Sequence, residues 1–373
     1  MSTAAKIAQH HAAGGEPLIG AAAHHRPVAL WLFGCCAMIF LMVVIGGITR
    51  LTLSGLSITE WQPVTGILPP LSESAWAAEF EKYRQIPQYR LINSGMILAE
   101  FKTIYGWEYV HRLWGRLIGI VYAVPLLYFL WRRQIPRALI WPLVGIFALG
   151  FAQGALGWYM VKSGLADRVD VSQYRLVAHL ALALAIYGVT LWIALGLWIS
   201  GSAAVPAAQR GQDARAADYG WGWRRLAETM IALVALTILA GGFVAGLKAG
   251  LTYNTFPLMD GSLIPAGYAA LEPFVRNWFE NVAAVQFDHR LLASLAALSA
   301  VGLWLAGMRT ALPYPVRWAL HAMVAAAALQ FGLGISTLLM VVPIPLAAAH
   351  QAGAVLFLTA AIVFRHALRK PSP

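Results

Sequence analysis

Charge is scarce in this sequence. Asp, Glu, Lys and Arg make up 12% of the 373 residues, against 60% hydrophobic, with a mean hydropathy of +0.66. A soluble domain of this length needs far more charged surface, so the composition excludes a soluble enzyme and points to a polytopic membrane protein. Cysteine is nearly absent. Cys35 and Cys36 stand side by side in an apolar run, which excludes a disulfide framework and a thiolate metal site and reads as two small buried side chains. No short apolar core with a cleavage site opens the chain, and the Ala/His/Gly-rich start is not Arg-rich, so neither a signal nor a transit peptide is expected. Residues 1–27 read as a disordered cytoplasmic tail, and its His10, His11, His24 and His25 as solvated rather than metal-binding. The net charge of +11 is assigned to basic loops beside anionic lipid, not to nucleic acid.

Long apolar runs are plentiful. They occur near 28–49, 110–131, 138–161, 175–199, 226–247, 287–307, 317–341 and 345–365, each close to the ~20 residues that span a bilayer. The expected fold is all-α, with eight transmembrane helices. The short connections on one side are basic. That side, tails included, holds 14 of the 27 Lys and Arg but only four acids. Placing it in the cytoplasm of a bacterial inner membrane puts both termini there. The opposite, periplasmic side carries the long loops at 50–108 and 248–286, with an amphipathic surface helix expected from Glu73 to Tyr83.

The chain repeats internally. Gly46-Gly47 matches Gly241-Gly242, and Gly55-Leu56 matches Gly250-Leu251, at a constant offset (241 against 46). Gln153 to Gly157 matches Gln330 to Gly334 at a shorter offset (330 against 153). The expected organisation is two tandem pseudo-symmetric four-helix bundles, at 28–200 and 226–366, with a cytoplasmic linker at 201–225 and a tail at 367–373.

Four of the ten histidines occupy equivalent places in this repeat. His111, His179, His289 and His350 open the even-numbered helices, all on the outer side. Two imidazoles per bundle, on different helices, suit the two axial positions of heme iron, whereas zinc or di-iron sites need more ligands. The expected pairs are His111 with His179 and His289 with His350. His321 and His366 have no repeat partner and read as locally bonded. Arg112, Arg116, Arg175 and Arg290 lie near the same surface and are candidates for heme propionates. Glu108 shares a helix face with His111, while the second half offers only Val285 or Gln286 there. One half is therefore expected to do chemistry, with Glu108 as an acid/base or cation-stabilising group. The other is expected only to carry electrons.

Several stretches together resemble the heme A synthase family over residues 28–365. They are Gly46 to Thr52 with Ser54 to Ser57, Glu108 to Arg112, Thr252 to Gly261, Gln286 to Arg290, and the His179 and His350 helices. The stretch from Thr252 is similar to the alphaproteobacterial and mitochondrial branch; the cysteine pair of the Gram-positive branch is missing from the outer loops. The resemblance implies a permanent heme B on His289 and His350. It implies heme O as substrate on His111 and His179, and Glu108 as the functional carboxylate. The implied reaction is oxidation of a porphyrin methyl to formyl through an alcohol. Heme O would come from heme O synthase, and the product would pass to cytochrome oxidase and its assembly factors; no motif names the electron acceptor. The longer first outer loop is expected to cover the substrate site. A dihaem electron-transfer cytochrome accounts for the four histidines equally well but has no need of Glu108. A heme chaperone or transporter is a further alternative, weakened by the lack of matched discontinuous helices.

Overall fold

The computed structural model describes residues 18–62, 65–166, 169–200 and 221–369. Eight of its helices are long and apolar enough to cross a membrane. They are α1 (Leu18–Leu51), α2 (Leu98–Trp131), α3 (Arg137–Ala166), α4 (Gln173–Ser200), α5 (Trp221–Gly246), α6 (Val282–Met308), α7 (Tyr314–Leu339) and α8 (Ile344–Ala367). Among the described residues there is no strand, only an isolated bridge between Met259 and Ser262. Of the expected tail, residues 1–17 lie outside the described residues, and 18–27 already belong to α1. Likewise 201–220 and 370–373 lie outside them, and Trp221 to Arg225 form the start of α5.

In the first half α1 packs on α2 and α4, and α3 packs on the same two, closing a four-helix ring. The second half repeats this, with α5 and α7 each against α6 and α8. The seam consists of α4 on α5, α8 on α1, and α4 on α8. Exchanging the halves converts the first of these contacts into the second and leaves the third in place, the signature of a pseudo-two-fold axis between the bundles. Buried alanines such as Ala194, Ala227, Ala300 and Ala361 let the backbones approach. On one side of the seam the Gln351 amide donates to the Val43 carbonyl (2.9 Å) and fills the space beside Gly47. On the other, Leu180 and Val177 fill the space beside Gly242. Near α4 and α5, Asp170 joins Arg50 (3.3 Å) to Lys248 (2.7 Å).

The second spanning helix begins well before the expected position 110. Its outer turns look like loop because Glu100, Lys102 and Thr103 are polar, but these residues lie on the opposite side from the apolar stripe. Phe101, Tyr105 and Glu108, at helical spacing, are buried. The first two pack against the surface helix Glu73–Arg84, capped by Ser72, which presents Trp76, Phe80 and Tyr83 as expected. Glu108 and His111 therefore sit deep inside α2, not at its mouth. The other three histidines do lie within two turns of their helix starts.

Candidate functional site

Glu108 is buried, with 2% of its surface exposed. A carboxylate in that position survives only with donors around it. Ser57 Oγ (2.8 Å) and the Ile58 backbone N–H (2.9 Å) donate to one carboxylate oxygen. Arg112 donates to the other through Nε (3.0 Å) and Nη2. The same guanidinium donates to the carbonyls of Ile58 (2.8 Å) and Glu60 (3.0 Å). Glu108 is thus held by the loop that follows α1 and by Arg112.

The second half builds the same frame around a different group. Gln286, not Val285, occupies the place of Glu108. Arg290 donates to Gln286 Oε1 (3.0 Å), to the Tyr253 carbonyl, and to the Thr255 carbonyl (2.8 Å). Tyr253 and Thr255 correspond to Ile58 and Glu60 (253 against 58). The Gln286 amide nitrogen donates to the carbonyls of Ala249 (2.8 Å) and Thr252 (2.6 Å). One loop therefore turns donors toward its centre and the other turns acceptors. Arg112 and Arg290 were expected to face heme propionates. Their guanidinium groups hold these loops through backbone carbonyls on the outer side.

Each of the four histidines packs its ring edge against a glycine of the neighbouring helix. His111 faces Gly46, His179 faces Gly157, His289 faces Gly241 and His350 faces Gly334. A Cβ on any of these glycines would stand 2.9 to 3.2 Å from the imidazole. The repeated glycines are thus explained by the rings they admit. His289 and His350 have ring centroids 6.4 Å apart and planes at 82°. One metal bonded to two imidazole nitrogens at roughly 2 Å each leaves the ring centres roughly 6 Å apart, so this pair fits a shared iron. His289 Nδ1 lies 3.1 Å from the Thr237 carbonyl, and His350 Nδ1 lies 3.0 Å from the Gln330 amide. A proton on His289 Nδ1 meets the Thr237 carbonyl and leaves Nε2 of that ring free to ligate, whereas the Gln330 amide nitrogen donates to His350 Nδ1.

In the first half, His111 and His179 stand within electrostatic range of each other. Neither ring has such a tether among the described residues. His179 Nδ1 is buried without a partner, and Gln153, the repeat mate of Gln330, donates to the His179 backbone carbonyl (3.0 Å) instead. Arg175 donates to the Tyr159 carbonyl (2.7 Å) and lies 3.6 Å over its ring. Arg116 reaches the Gln62 carbonyl (2.8 Å). With Arg112, Glu60, Gln62 and Tyr109 it lines a cavity of about 280 Å³ on the outer side of Glu108. The first outer loop folds over this half, with Trp61 against Trp158 (6.5 Å), Leu56 against Gly164, and Tyr109 Oη donating to the Ile67 carbonyl (2.7 Å). In the second half, Asn254 pins its loop to the end of α7 through the Leu338 carbonyl (2.9 Å). His321 accepts from Trp304 (3.0 Å) and His366 lies beside Trp192, so both bond locally.

Residues 29–362 match the model of the COX15-CtaA family, described as cytochrome oxidase assembly protein. The chain belongs to this family. It is 52% identical over 345 residues to a heme A synthase of Nitrosospira multiformis, covering 92% of this chain and 94% of the relative. It is 49% identical over 348 residues to that of Parvibaculum lavamentivorans, covering 93% and 96%. It is 43% identical over 391 residues to heme A synthase COX15 of Arabidopsis thaliana, covering 100% and 81%. Within this COX15-CtaA chain, sequence reasoning missed Ser57 as a site residue and both residues facing the Nδ1 atoms, Thr237 and Gln330. The repeat could have flagged Gln330 through its match to Gln153; the Thr237 contact uses a backbone carbonyl and leaves no residue-type signal.

Proposed function

We propose that the chain is a heme A synthase, an oxidoreductase that converts a methyl group of heme O to a formyl group by way of the alcohol. The observation that carries this, together with the family, is the carboxylate at 108 ringed by donors where the other half has a carboxamide.

His111 and His179 bind the substrate heme in the first half. Its lack of fixed Nδ1 tethers suits a ligand that arrives and leaves, and α2 and α3 pack less closely there than α6 and α7 do in the second half, leaving a side opening to lipid. His289 and His350 hold a resident heme B, whose chemistry is one-electron transfer. Glu108 is fixed in place by the donors around it. It lowers the energy of positive charge developing at the substrate methyl carbon as electrons are withdrawn. Ser57, Ile58 and Arg112 position it. Arg112, Arg116 and Arg175 are the partners for the substrate propionates and Arg290 for those of the resident heme, and Arg112 and Arg290 also position their loops.

The protein lies in the bacterial inner membrane with both termini cytoplasmic and both sites toward the periplasm. It takes heme O from heme O synthase and passes its product toward cytochrome oxidase and its assembly factors. The test is extraction and mass analysis of hemes from membranes supplied with heme O, native against Glu108→Ala. Heme A in the native sample, with heme O or its hydroxylated derivative accumulating in the variant, is the expected result. Unchanged heme O in both, with two hemes bound, would replace this reading with a dihaem electron-transfer cytochrome.

A further inference from the structure

One cluster of charge between the halves has no counterpart in the repeat. Arg50, at the outer end of α1, and Lys248, just past the end of α5, converge on the carboxylate of Asp170, which stands shortly before the start of α4. The equivalent positions carry Ala245 in place of Arg50 (245 against 50) and Leu53 in place of Lys248 (248 against 53). Two cations thus share one carboxylate, and Lys248 holds it the more closely, at 2.7 Å against 3.3 Å for Arg50. The other contacts of Arg50, to the Ala245 and Gly246 carbonyls, are also 3.3 Å long, beyond the usual range for an N–H donor. Its Nε is buried with no acceptor among the described residues, and the side chain is only 14% exposed. A guanidinium so placed, with an idle donor and surplus positive charge around it, lacks an anion.

The position of the cluster identifies the anion. Arg50 lies one turn outward of Gly46 on the same face of α1, and that face meets His111: a Cβ on Gly46 would stand 3.2 Å from Nε2 of the ring. Asp170 leads into α4, the helix of His179. The cluster therefore stands on the outer side of both first-half histidines. Resting on the heme-ligand reading above, we propose that Arg50, backed by Lys248, binds a carboxylate of the substrate, one propionate of heme O. The guanidinium donates to the propionate, and Lys248 occupies Asp170 so that this acid does not compete for Arg50. The second half has an alanine in place of the arginine, which confines this recognition to the substrate half.

The experiment titrates heme O, and separately its dimethyl ester, into the full-length, detergent-solubilised protein with its second-half site filled. The ester blocks the propionates and removes their charge. Native protein is compared with Arg50→Gln, Arg50→Lys, Lys248→Met and His179→Ala. Loss of a hydrogen bond to a charged group weakens binding by roughly 10- to 100-fold, and Arg50→Gln is expected to raise the heme O dissociation constant in that range while leaving that of the ester unchanged. Arg50→Lys keeps the charge without the planar fork and should recover part of the loss. Lys248→Met leaves α1 intact and should also weaken heme O alone, because Asp170 then draws Arg50 to itself. Equal weakening of heme O and ester in the Arg50 and Lys248 variants, or native affinity for both, would overturn the role of Arg50 while the ligand reading stands, provided His179→Ala has lost heme O. Undiminished heme O binding in His179→Ala would overturn the ligand reading and this proposal together.

Discussion

The two halves use one frame for two purposes. In each, an arginine four residues along a helix ties a buried side chain to the loop that follows the preceding helix, through equivalent carbonyls. In the first half that side chain is the Glu108 carboxylate and the loop offers it Ser57 Oγ and the Ile58 N–H. In the second it is the Gln286 carboxamide and the loop offers carbonyls. The histidines differ in the same sense. Both second-half rings have a neighbour at Nδ1, and the buried Nδ1 of His179 has none. Duplication supplied two similar pockets. A fixed charge and loosened ligands suit one to chemistry and exchange, and a neutral centre with tethered ligands suits the other to retention.

Glu108→Gln should break this contrast most sharply. Removing a preorganised charge from a site that stabilises a transition state typically costs roughly 10²- to 10³-fold in turnover. Heme A formation, followed by mass analysis, is expected to fall by that amount while heme O still binds. The converse change, Gln286→Glu, should create no second reactive site. It sets a carboxylate against the carbonyls of Ala249 and Thr252, removing two donated hydrogen bonds and leaving unpaired acceptors at about 1–3 kcal/mol, which a thermal melt of the purified protein would record as a lower Tm. The seam is expected to respond unequally. A methyl at Gly47 would stand 1.6 Å from Gln351 Oε1, whereas one at Gly242 would stand 3.0 Å from Val177. Gly47→Ala should therefore cost about 1–3 kcal/mol through overpacking, and Gly242→Ala visibly less in the same melts. The smallest effect is expected from Ser57→Ala, which removes one of the donors to Glu108. About 1.5 kcal/mol for a hydrogen bond to a charged group translates to roughly tenfold slower heme A formation.

Much of this was legible in the residues. Eight apolar runs gave eight helices, and the glycine pairs and histidines gave the two-fold repeat. The contrast at Glu108 was also visible, and its partner could have been fixed, since Gln286 stands before His289 and Arg290 at the same spacing as Glu108 before His111 and Arg112. The outer turns of α2 were hidden because Glu100, Lys102 and Thr103 mask a buried stripe that needs the surface helix to cover it. The loop contacts of Arg112 and Arg290 were hidden for another reason. An arginine at a membrane surface carries no mark in the sequence of the backbone carbonyls it meets, and only the path of the loop decides.

The division of labour is tested most directly by purifying His179→Ala and His350→Ala and measuring the heme each contains and the heme A each makes. The account predicts that His179→Ala keeps its resident heme B and forms no heme A, while His350→Ala is isolated without that heme. A His179→Ala protein that loses the resident heme, beside a His350→Ala protein that keeps it, would assign the two halves the opposite way.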